Sequence, residues 1–187
     1  MSTKTILKDK VLQGFPEGFP FPAELDMLCD WVEANGFPIS GYFRIHNNED
    51  KQDITYYMGF NDVNDHFGVF GKSADGSMYA LWRNNAYTTT CKVVHMGSEG
   101  SHQMVLAHNF VDFLRLLAIG YDEIGFCDLS KLPEENEGYD ADTVNPRFAE
   151  WVSNTFSVTI PKTGDEIVNV YDKSFGNWVQ DQIDEYS

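Results

Sequence analysis

The sequence predicts an α+β domain: a mainly antiparallel sheet of about five or six strands flanked by helices. Three observations predict it. Short aromatic and β-branched runs crowd the middle of the 187-residue chain, helical apolar periodicity lies on either side of them, and the links between the runs are too short for crossover helices. With 42% hydrophobic and 14% aromatic residues, the chain has enough apolar material to repay the entropy of ordering despite its acidity. A single domain over residues 1–187 is expected.

The elements follow in order. Residues 1–22 read as an extended lead-in, because Pro16, Pro20 and Pro22 fix φ and remove donors. Residues 23–35 read as a helix. Leu25, Leu28, Cys29, Trp31 and Val32 recur at helical spacing, Glu24 and Asp26 suit the first turn, and Gly36 ends it. Strands are expected at 41–45, 55–58, 67–70, 78–83 and 91–96, with Asp75-Gly76 as the hairpin turn between the third and fourth. The period then becomes helical: Asn109 caps a segment whose stripe is Phe110, Phe113, Leu114, Leu117 and Ala118, stopped by Gly120 and covering the sheet. Residues 133–187 form an acidic, helical C-terminal part. There Phe148-Ala-Glu-Trp-Val152 and Phe175-Gly-Asn-Trp-Val179 repeat one spacing that puts Phe and Trp on one helix face, and Thr163-Gly-Asp-Glu166 resembles a capping box ahead of Ile167, Val170 and Tyr171.

Charge narrows the function. Thirteen basic against 29 acidic residues leave a net −16 and a pI near 4.4, which disfavours nucleic acid and anionic membrane as partners. No run approaches the roughly 20 apolar residues of a membrane span, and the charged N-terminus does not read as a signal peptide. Cys29, Cys91 and Cys127 are odd in number and far apart, so neither a disulfide framework nor a zinc ribbon is suggested, and a cytoplasmic location is expected.

Catalytic templates fail on spacing. Gly71-Lys72-Ser73 lacks the P-loop glycine five residues upstream, where His66 stands. Gly97-Ser98-Glu99-Gly100 is one residue short of a nucleophile elbow. The five histidines match no zinc spacing, and His95 reads as a hydrogen-bonded sheet residue sharing a strand face with Cys91 and Val93. The Asn61-Asp-Val-Asn-Asp65 turn lacks the glycine and terminal glutamate of an EF-hand. Accordingly no catalytic residue, metal or cofactor is assigned. Trp82 shares a strand side with Met78 and Ala80, which suits core packing or, alternatively, an aromatic anchor facing a partner.

One longer run is more specific. Gly68-Val-Phe-Gly71, Asp75-Gly-Ser77, Tyr79-Ala-Leu-Trp82, Val93-Val-His-Met-Gly-Ser-Glu-Gly100 and Ala107-His-Asn-Phe-Val-Asp-Phe-Leu-Arg-Leu-Leu-Ala-Ile-Gly-Tyr-Asp-Glu123 together resemble the SUKH superfamily (Smi/Knr-type) in order and spacing. The likeness extends from about Gly36 through the closing Phe-x-x-Trp segments, with residues 68–120 its specific part. It implies a bacterial immunity protein: a non-enzymatic, stoichiometric inhibitor that binds a cognate polymorphic toxin. An alternative from the same resemblance is a regulatory protein-interaction scaffold, like the fungal members. An acidic inhibitor suits a basic toxin, a nuclease or other enzyme, through electrostatic steering. Candidate partner contacts are the aromatics Tyr56, Tyr57 and Trp82 and the acids Asp62, Asp65, Glu99, Glu134, Glu135, Glu137, Asp140 and Asp142. Residues 133–187 hold 12 acids and 3 bases, over half of the net negative charge.

Overall fold

The computed structural model describes residues 6–45, 63–85, 87–100 and 102–186. The expected strand at 55–58 lies outside them. The architecture is α+β: a five-stranded antiparallel sheet in sequential order, with five α-helices among the described residues. Helices α1 (Ile6–Gln13) and α2 (Ala23–Asn35) precede strand β1 (Arg44–Ile45). Strands β2 (Phe67–Lys72), β3 (Met78–Trp82), β4 (Lys92–Met96) and β5 (Met104–Ala107) follow, then helices α3 (Phe110–Ile119), α4 (Pro146–Phe156) and α5 (Ser174–Tyr186).

Alternation along β3 divides the core. Tyr79 and Leu81 point to a large cluster with Leu28, Phe43, Phe70, Phe113, Leu117 and Phe148, under α2, α3 and α4. Met78, Ala80 and Trp82 point to a second cluster with Phe67, Val94, Phe175 and Val179, beneath α5. Both faces of the sheet are therefore covered, which is why every residue of β3 is buried.

Local signals explain α3. Asn109 Oδ1 accepts the Asp112 N–H at 2.9 Å, satisfying a donor at the helix start, and Gly120 closes the helix in the left-handed region. The two Phe-x-x-Trp segments do place Phe and Trp together, yet they serve opposite faces. In α4, Phe148 and Trp151 stack on Trp31. In α5, Phe175 and Trp178 pack edge-on or tilted against Trp82 and Phe67.

Three expectations need correction. The lead-in is not extended throughout, since residues 6–13 form α1, whose Val11 is fully buried and whose Lys8 pairs with Asp26 of α2. Docking on α2 decides this, not the local alternation of charged and apolar residues. No helix follows Thr163: Glu166 Oε1 accepts the N–H of Lys162 and of Thr163, but the turn stops after one 3₁₀ turn, Gly164–Glu166. The run 104–107, unassigned by its pattern, is β5.

Candidate partner-binding surface

The hairpin end of the sheet gathers carboxylates from three separate loops. In the β2–β3 turn, Asp75 accepts the N–H and hydroxyl of Ser77 at 2.9 and 2.5 Å and the Ser98 hydroxyl at 3.4 Å. Partial burial opposes ionisation of Asp75, but these bonds outweigh it and hold the carboxyl below its usual range. In the loop after α3, Glu123 is shifted the other way, raised by desolvation and then by the nearby charge of Asp75. Asp75, Ser98, Glu99, Glu123 and Phe126 together line a hollow of about 380 Å³. No basic side chain is among its lining residues, and the Phe126 ring at its edge is 48% exposed.

His95 supports that ring from below. It is buried, its Nδ1 lies 2.8 Å from the His102 carbonyl, and Phe126 packs edge-on to it and against His102. Burial, only partly offset by the His102 bond, lowers the pKa of His95, so the ring is neutral near pH 7. Gly125 lets the loop close over it: a Cβ there would lie 2.2 Å from the imidazole.

A knot centred on Asp122 extends the acidic surface. Its two carboxylate oxygens accept the Thr143 hydroxyl at 2.7 Å and the Asp140 N–H at 2.8 Å, while its carbonyl accepts the Tyr42 N–H at 2.9 Å. This joins the loop after α3 to the 3₁₀ turn Ala141–Thr143 and to the segment before β1. The exposed Tyr42 phenol is shifted upward by desolvation and by the charges of Asp140, Asp122 and Glu123. Six carboxylates, of Asp75, Glu99, Asp122, Glu123, Asp140 and Asp142, thus border two exposed aromatic rings.

The predicted contacts divide accordingly. Glu99, Asp140 and Asp142 belong to this surface. Glu134, Glu135 and Glu137 are exposed in the preceding loop, where Glu135 Oε2 accepts the Leu132 N–H at 2.9 Å. Asp65 is exposed in the 3₁₀ turn Asn64–His66, and its carbonyl accepts Arg83 Nε and Nη2 at 3.0 and 2.9 Å. Trp82 is corrected: at 3% exposure beneath α5 it is a core residue, not a surface anchor. Tyr56, Tyr57 and Asp62 lie outside the described residues. Tyr42, Asp122, Glu123 and Phe126 carry no motif of their own in the sequence; the nearest local signal is the Tyr-Asp-Glu that follows the Gly120 helix stop.

The hollow presents carboxylates and one exposed aromatic ring. Ser98 donates to a carboxylate with depressed pKa, a weak base for activating a hydroxyl. Desolvation raises the pKa of all three thiols, Cys29 to about 12. Among the described residues no cluster of His, Cys, Asp or Glu is placed to hold a metal ion, and no helix is long and apolar enough to cross a membrane. No family model matches this chain, and no curated protein or solved structure shows significant similarity to it.

Proposed function

We propose that this chain is a cytoplasmic immunity protein that neutralises a cognate toxin by stoichiometric binding through the acidic hairpin-end surface. One observation carries the reading: six carboxylates and the exposed rings of Tyr42 and Phe126 converge there from loops that hydrogen bonds hold in place. Such a surface suits a basic enzyme. Charge steers the encounter, and an aromatic ring seated against the partner supplies contact area at low entropic cost. Asp75, Asp122 and Asp140 are engaged by hydrogen bonds from loop groups, which leaves Glu99, Glu123 and Asp142 as the acids available to meet a cation.

Co-expression with the product of the adjacent reading frame tests this. The expected result is rescue of growth, a one-to-one complex on sizing chromatography, and loss of both with Glu99→Lys and Glu123→Lys combined. A neighbouring product that is harmless when expressed alone overturns the toxin assignment. Full protection by the double variant overturns the assignment of this surface.

A further inference from the structure

A second concavity lies on the other side of the same loop. Phe126 faces the acidic hollow, whereas its neighbours Gly125 and Cys127 line a groove of about 790 Å³ between the loop after α3 and residues 165–171. Buried Ile124, Leu129 and Val168 give it an apolar lining. At its rim stand two apolar side chains that folding leaves in water, Val170 at 51% and Tyr171 at 86% exposure. One wall is Met104, the first residue of β5, and β5 ends the sheet, pairing with β4 alone among the described strands.

The groove's charge selects its occupant. Its ionisable lining residues besides Cys127 and Tyr171 are Asp128, Asp165 and Glu166, all acids. Asp128 is paired with Lys131 at 3.2 Å, whereas Asp165 and Glu166 make no ion pair with a described base. Hydrogen bonds aim both: Asp165 Oδ1 accepts the Thr163 hydroxyl at 2.6 Å, and Glu166 Oε1 accepts the Lys162 N–H at 3.0 Å. Each carboxylate has a second oxygen that can turn toward an incoming cation.

We propose that this groove binds an extended segment of a partner protein in which apolar side chains alternate with lysine or arginine. Apolar side chains fill the lining and pack on Val170 and Tyr171, the cations meet Asp165 and Glu166, and the edge strand beside Met104 favours an extended backbone. The inference does not rest on the toxin-inhibitor reading, because a chain that binds no toxin can still hold such a segment.

The test titrates the full chain with three synthetic nonapeptides, alternating Lys–Leu, Lys–Ser and Glu–Leu, followed by amide chemical-shift mapping. The expected result is saturable binding of the Lys–Leu peptide, with shifts at residues 124–129 and 165–171. Binding should weaken at least tenfold for either other peptide and at least fivefold for the Val170→Ser, Tyr171→Ser double variant. Asp165→Asn, which retains an acceptor for Thr163, should weaken the Lys–Leu peptide and leave Glu–Leu unchanged. Equal binding of Lys–Ser would reduce the effect to bulk charge and overturn the proposal. So would shifts centred elsewhere, or concentration-dependent shifts of the groove amides without peptide, which would make a second copy the occupant.

Discussion

At the scale of the residue, the loop that carries Phe126 depends on one close approach. Gly125 sits against the His95 ring, which cannot retreat without losing its 2.8 Å contact with the His102 carbonyl and its packing on Tyr79. Gly125→Ala forces that choice and should cost about 1–3 kcal/mol, the usual range for overpacking, read as a lower urea midpoint with unchanged slope. His95 also imposes a pH dependence. Its folded pKa lies below the ordinary value, so the unfolded chain binds the proton first. Stability from the neutral ring is therefore complete above about pH 6.5 and declines as pH falls through that value toward the folded pKa. Replacing it, His95→Phe, orphans the His102 carbonyl and should lower stability at pH 7. The gap to the wild type should then narrow between pH 7 and pH 5, as paired urea titrations will read. A constant gap would mean that the ring titrates alike in both states.

At the scale of the element, α5 is the described helix that covers the second sheet face, and one carboxylate latches its start. Asp172 Oδ2 accepts Lys92 Nζ at 2.8 Å and lies 3.3 Å from His108 Nε2, while Oδ1 accepts the Ser174 N–H at 3.0 Å. Desolvation opposes the charge, but Lys92 and Ser174 outweigh it and hold the carboxyl far below its ordinary range. A depressed acid stabilises the fold above its unfolded pKa, about 3.9, and loses that contribution as pH falls toward the folded value. Asp172→Asn should therefore cost about 1–2 kcal/mol at pH 7, with amide exchange fastest in α5, and the gap between the two proteins should begin to close only below about pH 4. The helix itself is legible in the Phe-x-x-Trp-Val spacing, and so is α3, because caps and stripes are local. Which face each Phe-x-x-Trp helix covers is not legible, since only the chain path puts α4 and α5 on opposite sides. The helix of residues 6–13 and the four-residue β5 escape for the same reason: burial of Val11 and pairing with β4 are decided far away in sequence.

At the scale of the whole molecule, the same charge acts on two processes with opposite signs. In the proposed function the acid-rich composition serves recognition of a basic partner, and the loop 134–142 supplies Asp140 and Asp142. The surface needs more than that loop, because Asp75, Glu99 and Glu123 meet only when the β2–β3 turn, the β4–β5 turn and the loop after α3 come together. A net charge of −16 makes the folded chain repel itself, and salt relieves that strain. It equally screens the field that draws in a cation-rich protein. Raising ionic strength from about 50 to about 500 mM shortens the Debye length from about 14 to about 4 Å, less than the span of the acidic surface. The melting temperature should therefore hold or rise with salt, while the association rate with the partner falls by about tenfold or more and the dissociation rate changes little. Stopped-flow association and thermal melts across one salt series separate the effects. An association rate indifferent to salt would show that the acidic loops do not steer the encounter.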